Sequence, residues 1–469
     1  MRLTAFTLTL FISLCTYSAQ KPNIILVFID DMGWADFSCF GNKDTETTQI
    51  DQLAGEGICF EQFYVNSPIC SPSRVAISTG QYPQRWKIAS YLAHRDKNKQ
   101  RGIANWLDPK APMLAAKLKE NGYMTGHFGK WHMGGQRDVG DAPLITEYGF
   151  DESLTNFEGL GPRLLPLVRT PKKPEFRKIW RDSEKLGRGK VTWTERAKIT
   201  GGFVDAAVSF IDKAAKAEKP FYINLWPDDV HSPFFPTLEA WKNGENKRNL
   251  YLSVLKEMDT QLGILFNKIK SDEKLKNNTL ILICSDNGHE PGAGSGGPLR
   301  GMKTNLYEGG IRSSLVVWGS GFIAKDKQGS RNKTSLFSAI DLVPSLLEFA
   351  GIPINTAYDG ESLSETLIGK KDGSRQKAIF YRRPPDRKFF YGSTNPDLAM
   401  RRGEWKLLCN FDGSKAELYK IPDDHSEKNN LAAQYPDLVN KMSSELIVWH
   451  KSLPADNPEA HEKSGNKKK

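Results

Sequence analysis

The sequence predicts an α/β chain: a large, mostly parallel central sheet flanked by helices, followed by a smaller α+β unit. Three observations carry this. Between residues 20 and 370, short unbroken apolar runs alternate with stretches of helical periodicity, the pattern of a sheet whose crossovers are helices. The runs show no polar alternation, which suits strands buried on both faces. After residue 370 the texture changes to short strands divided by turns, closed by one helix.

The elements follow in order. Residues 1–19 carry one arginine, an apolar and hydroxyl run, then small residues, the make-up of a secretory signal peptide. Cys15 is a poor lipidation site, because bulky Leu14 precedes it. "KPNIILVFIDDMG" holds the first buried strand, ended by Asp30 and Asp31. In "SPICSPSRVAISTG" a helix starts near Pro72, a residue tolerated in a first turn, and Gly80 closes it. Residues 113–121 are helical, and "YMTGHFGKWHMGG" is a strand running into a glycine-punctuated loop. The stretch 160–198, rich in Arg, Lys and Pro, is expected to be a surface insertion. Helix 201–217, the strand and proline-rich loop of "KPFYINLWPDDVHSPFFP", and helix 249–270 come next. "NTLILICSDNGHE", "SSLVVWGSG" and helix 337–350 complete the first unit, 20–370. The α+β unit, 371–460, contains "KAIFYRR", "LAMRRGEWKLLCN", "AELYKI" and a helix presenting Leu438, Met442, Leu446 and Trp449 on one face. Residues 461–469 form a basic tail.

Composition narrows the function. The net charge of +10 favours a polyanionic partner. Zinc-finger spacing, RNA-binding signatures and dense basic helices are lacking, which argues against nucleic acid. Beyond the leader no run approaches the ~20 apolar residues of a membrane span. An exported chain, periplasmic or secreted, is expected. Removing the leader leaves Cys39, Cys59, Cys70, Cys284 and Cys409, an odd number, so at least one thiol is unpaired or special.

The polar groups that follow the strands form a pattern. Asp30–Asp31, Lys130 with His132, His231, and Asp286–Asn287 each come just after an apolar run. In open α/β sheets ligands bind beyond the carboxyl ends of the strands, so four strands are expected to deliver these groups to one edge. An acid pair alone also serves to cap the next helix. Two such pairs offer an all-oxygen ligand set for Ca²⁺, with Mg²⁺ the lesser alternative. Cys70 sits where free N–H groups and the helix dipole favour an anion, and Arg74 adds a fixed positive charge. A cysteine alone is more often buried or bridged; a cysteine before Pro72 and Arg74 is less ordinary. Lys303 follows "GAGSGGPLRGMK", which lacks P-loop spacing.

These residues carry a resemblance. "CSPSR" resembles the signature of the type I, formylglycine-dependent sulfatases, of the alkaline-phosphatase superfamily. "IDDMGWADFSCFG", "GYMTGHFGKWHMGG" and "SDNGHEPG" resemble that family's other blocks in the same order, and "RRGEWKLL" with "ELYKIPDDHSEKNNLA" its C-terminal region. The match spans nearly the whole mature chain, least over 150–200. It implies an alkaline-phosphatase-like fold and hydrolysis of a sulfuric ester, with a sulfated carbohydrate as substrate.

The resemblance also implies roles. Cys70 is oxidised by a formylglycine-generating maturation enzyme to an aldehyde, whose hydrate attacks sulfur. Asp30, Asp31, Asp286 and Asn287, with the modified Cys70, bind Ca²⁺, and Asp286 helps to ionise the hydrate. His231, with Lys303, gives a proton to the leaving group. His132 helps the second hydroxyl to expel sulfate, and Arg74 and Lys130 hold the hydrate and offset sulfate charge. Lys130, His231 and Lys303 thus also touch substrate. Arg382, with Arg383 and Arg387 in "YRRPPDRKFF", is a further candidate for reading a carboxylate or second sulfate. Two other readings compete: a phosphonate or phosphodiester hydrolase of the same superfamily, and a non-catalytic sulfated-glycan-binding protein. The second predicts gaps among the catalytic positions, and there are none.

Overall fold

The central strand Asn23–Ile29 (β1) buries both faces. Ile24, Leu26 and Phe28 enter one apolar cluster, and Ile25, Val27 and Ile29 the other. Strict alternation along an apolar run is what a strand sandwiched between two helical layers requires. Each such side chain contributes about 1.5–3 kcal/mol of transfer free energy. The computed structural model describes residues 21–460 except 157, 187, 391 and 392. The 1–19 leader, Cys15 and the 461–469 tail lie outside the described residues.

The other strands of the main sheet are Ile58–Tyr64 (β2), Met124–Gly129 (β3), Glu152–Thr155 (β4), Arg163–Thr170 (β5), Lys173–Lys178 (β6), Val191–Glu195 (β7), Phe221–Trp226 (β8), Thr279–Ser285 (β9) and Arg312–Trp318 (β10). Ser330–Asn332 and Phe337–Ser338 bring it to 12 strands. From the Ser330–Asn332 edge the order is β2, β10, β9, β1, β8, β3, β4, β5, β6, with β7 beside β5. β1 lies parallel to β8 and β9, with Val27 opposite both Leu225 and Ile283. β8, β3, β4 and β5 continue in parallel. β10 runs antiparallel to β9 and β2, and β6 antiparallel to β5. The carboxyl ends of β1, β3, β4, β8 and β9 therefore share one edge.

Helices cover both faces. Thr48–Glu56 (α1), Ile199–Lys216 and Lys247–Ser271 pack on one, through Leu53, Phe203 and Leu262 among others. Cys70–Thr79 (α2), Leu114–Glu120 and Leu342–Phe349 pack on the other, through Val75, Leu118 and Leu346. The region expected to be a surface insertion differs: β5, β6 and β7 extend the sheet, and Leu164, Leu165 and Val168 bury apolar surface.

At the C-terminal end, Ile379–Arg382, Leu398–Arg402, Trp405–Cys409 and Glu417–Lys420 form a four-stranded antiparallel sheet. Met442, Leu446 and Trp449 of helix Pro436–Lys451 pack on it. Lys406 ties this sheet to the main one, 3.0 Å from Glu308 and 2.8 Å from Glu427, with all three side chains fully buried. The five described cysteines are free thiols. Among the described residues no helix is long and apolar enough to cross a membrane.

Candidate active site

The shared strand edge gathers three carboxylates. Asp30 and Asp31 end β1, and Asp286 follows β9; one oxygen of each lies within 4.8 Å of the others, and all three side chains are buried. The neighbouring strands fix this geometry: the Asp31 amide, at φ 59°, donates to Asp286 Oδ1 at 3.0 Å, and the Asp30 amide to the Pro227 carbonyl at 3.1 Å. Asn287 Nδ2 donates to Asp31 Oδ1 at 2.8 Å.

Three buried carboxylates need compensating charge. Arg74 Nη2 lies 2.8 Å from Asp286 Oδ2 and 3.2 Å from Asp30 Oδ1, while its Nη1 donates to the Lys130 carbonyl at 2.9 Å. Its guanidinium rests over the Phe28 and Trp226 rings. Lys130 Nζ is 2.6 Å from Asp30 Oδ2, and Lys303 Nζ bonds to Asp31 Oδ2. Burial works to raise the Asp30 pKa, but Lys130, His231 and Arg74 hold it well below the carboxylate range. Burial and the Asp30 charge push Asp286 well above that range. The cluster can thus accept more positive charge.

The residues present fit a hard divalent cation. Asn287 Oδ1 is buried without a hydrogen-bond partner among the described residues, and Asp30 Oδ1 has its ion pair with Arg74 at 3.2 Å but no hydrogen bond. Orphaned buried acceptors are costly in a finished fold, and an all-oxygen set of carboxylates and one amide is the donor chemistry of Ca²⁺ or Mg²⁺.

Cys70 is the first residue of α2 and is buried. Gly80, at φ 66°, ends that helix by donating to the Ala76 carbonyl. The entering loop is fixed by Ser73 Oγ, which donates to the Ser67 carbonyl at 2.8 Å. Burial, aided by Asp30 and Asp286 against Lys130 and Lys303, pushes the thiol up to about 12. An unmodified Cys70 therefore stays a neutral thiol at neutral pH, and the thiolate is the reactive form.

Two histidines flank the cluster. His132 Nε2 donates to the Leu92 carbonyl at 3.1 Å, and its Nδ1 faces Glu158 Oε2 at 3.0 Å. Burial, with Lys130 and Arg74 nearby, holds its pKa well below the ordinary histidine value. His231 Nδ1 donates to the Ser232 carbonyl at 2.8 Å, so Nε2 is its working end, 3.5 Å from Asp31 Oδ2. The His231 side chain is 30% exposed, enough to meet a substrate.

Two glutamates complete the surroundings and escaped the sequence reading. Glu158 Oε2 lies 3.3 Å from Lys130 Nζ and 3.0 Å from His132 Nδ1. Glu290 Oε2 lies 3.8 Å from Lys303 Nζ. Lys130 and Lys303 are therefore each held between one aspartate of the cluster and one glutamate. Glu158 follows β4, a four-residue strand too short to separate from its loops by pattern; its place after a strand at the shared edge was the only signal.

A cavity of about 670 Å³ opens over Cys70, His132, Glu158, His231 and Lys303, with Tyr91, Arg137, Trp180 and Arg387 also in its lining. Thr304 in the same lining is held at φ 78°, and its buried hydroxyl lacks a hydrogen-bond partner among the described residues. That backbone region is uncommon for a β-branched residue. Arg382 is a correction. It is buried in the C-terminal sheet, 3.0 Å from Asp456 Oδ2, and donates to the Pro454 carbonyl, so its charge is spent on structure outside the lining. Arg383 is likewise committed to Asp397 at 2.6 Å. Only Arg387 of the three reaches the cavity.

Comparison with known proteins agrees with this geometry. Residues 22–352 match the Sulfatase family model, and 302–452 match that of the N-sulphoglucosamine sulphohydrolase C-terminal region. The chain is 30% identical to N-acetylgalactosamine-6-sulfatase of Canis lupus familiaris over 381 residues, 78% of this chain and 69% of that one. It is 29% identical to N-acetylgalactosamine-6-O-sulfatase of Bacteroides thetaiotaomicron over 513 aligned positions, covering 92% of this chain and 93% of that one. The crystal structure of Ps i-CgsB in complex with k-i-k-neocarrahexaose superposes with a TM-score of 0.77 at 28% identity, covering 94% of each chain. A family model spanning most of the chain, and the polar groups within it brought to one sheet edge, lead to one conclusion: the chain belongs to the sulfatase family and is a sulfuric ester hydrolase.

Proposed function

We propose that this protein removes sulfate from a sulfated carbohydrate outside the cytoplasm, using an oxygen nucleophile made from Cys70. The observation that carries the reading is the placement of Cys70, at the start of α2, among Asp30, Asp286, Lys130 and Lys303, whose charges all act on it. A buried thiol pushed up to about 12 is a poor nucleophile, so maturation to formylglycine gives the position a function: its hydrate supplies the attacking oxygen. Asp30, Asp31, Asp286 and Asn287 would hold a calcium ion, which when bound offsets charge on sulfate and on the nucleophile.

The remaining work falls to the chain's own residues. Arg74 and Lys130 keep the acid cluster compact and oppose the sulfate charge. Lys303, bonded to Asp31, is placed to meet a sulfate oxygen or the bridging oxygen. His231 Nε2, when protonated, donates to the bridging oxygen as the S–O bond breaks, so the sugar leaves as an alcohol. His132, with Glu158 beside its ring, helps residue 70 to lose a proton as sulfate departs. Little covalent chemistry is asked of the side chains; preorganised charge and position supply most of the barrier reduction.

The sugar context follows the similar proteins, among them enzymes named for N-acetylgalactosamine 6-sulfate and a structure holding a carrahexaose. Peptide mass spectrometry over 67–80, paired with rates on an aryl sulfate and an aryl phosphonate, tests the proposal. A formylglycine mass and a faster sulfate ester are expected. A thiol mass in fully active protein, or a preferred phosphonate, contradicts it.

A further inference from the structure

The strand β6 stands apart from the rest of the sheet. All six of its residues, Lys173–Lys178, are exposed, and it forms the sheet's free edge. From Arg169 to Lys190 the chain holds nine lysines and arginines against three acids. This short segment alone therefore accounts for more than half of the net charge of +10. Some of that charge is committed at the surface: Lys172 pairs with Glu245, Lys178 with Glu184 and Lys185 with Asp182. Lys173, Arg177, Arg181 and Lys190 are exposed and have no acidic partner within ion-pair distance among the described residues.

The segment is also continuous with the active-site cavity. Two residues beyond β6 the chain reaches Trp180, and Trp180, Asp182 and Ser183 are in the cavity lining. A six-residue strand is roughly 20 Å long, so the cationic edge extends well past what one sugar residue could span. Phe176, on the strand face opposite Lys173 and Arg177, is 48% exposed with the Arg169 guanidinium 4.4 Å from its ring centre. Exposed lysines also keep a free sheet edge from pairing with another chain. That role alone asks nothing of the link to the cavity.

We infer that the β6 edge is a second binding surface, one that holds further sulfate or carboxylate groups of a polyanionic glycan whose terminal or internal sulfate ester sits in the cavity. The inference rests on the sulfatase reading above and deepens it: the preferred substrate is a chain of several charged sugars. Attraction between an exposed cationic strip and a polyanion acts at longer range than the chemistry and weakens as salt rises.

The test is the triple variant Lys173→Gln, Arg177→Gln, Arg181→Gln in the full chain, compared with wild type on a small aryl sulfate and on a size-fractionated sulfated glycosaminoglycan. The aryl sulfate rate is expected to be unchanged. The half-saturating concentration of the polymer is expected to rise about tenfold at low salt, and this gap is expected to close at high salt. Parallel behaviour on both substrates overturns the inference, as does single-stranded DNA of matched charge competing as well as the glycan. Polymer binding is also measured by calorimetry with Cys70→Ala as the parent chain. If wild type releases no sulfate from either ester, the sulfatase reading fails. A triple variant that then keeps full polymer binding rejects the surface separately.

Discussion

Lys130 Nζ lies 2.6 Å from Asp30 Oδ2, with both side chains buried, and Arg74 Nη2 lies 3.2 Å from the other oxygen of the same carboxylate. One aspartate at the end of β1 thus anchors two cations, one from the loop after β3 and one from α2. The contacts explain how residues from three distant segments hold a common geometry, and they make the charge balance of the cluster a measurable property.

Removing one partner of a buried ion pair typically costs 3–5 kcal/mol, because the other charge stays buried and uncompensated. Lys130→Met is therefore expected to lower unfolding stability by about 3 kcal/mol in the presence of a chelator. A divalent cation held by Asp30 supplies replacement charge, so the loss is expected to shrink when Ca²⁺ is added. Urea unfolding of wild type and variant, with chelator and with Ca²⁺, measures this. An identical loss in both conditions contradicts a cation on Asp30. Wild type itself is expected to gain about 2.7 kcal/mol at a Ca²⁺ concentration one hundred times Kd.

His231 presents Nε2 to the cavity because Nδ1 is committed to the Ser232 carbonyl. His231→Ala is expected to slow sulfated sugars, which have poor leaving groups, by about 10²–10⁴-fold, and activated aryl sulfates far less. Rates across a series of leaving-group pKa values check this. Equal losses on all esters remove the proton-donor role.

Asp229 sets a pH dependence of stability. Burial, with Asp228 adding to it and Arg196 opposing, pushes its carboxyl up to about 7. The fold thus favours the protonated form. That relative stabilisation is complete below the ordinary carboxyl pKa and is lost as the pH rises through about 7. Asp229→Asn keeps the site neutral and is expected to flatten the stability profile between pH 4 and pH 7. Denaturant midpoints across that range test it, and a variant profile parallel to wild type refutes it.

Much of the sheet was legible because its strands are apolar on both faces: β1, β8 and β9 could be read from unbroken runs. The shared edge was legible too, since Asp30, Lys130, His231 and Asp286 each follow such a run. β4 to β7 were not: β4 has four residues, β6 and β7 lack buried apolar residues, and the apolar run of β5 is set within the basic, proline-containing stretch 160–198. Glu158 was hidden with them. Arg382 and Arg387 are five residues apart and alike in composition; only tertiary packing against Asp456 separates the structural arginine from the one at the cavity.

The most direct measurement is sulfate release from a sulfated sugar by Cys70→Ala. The variant removes the proposed nucleophile and little buried volume at the start of α2. It is expected to keep the wild-type unfolding midpoint while releasing no sulfate above background. Sulfate release by Cys70→Ala at the wild-type rate contradicts the account.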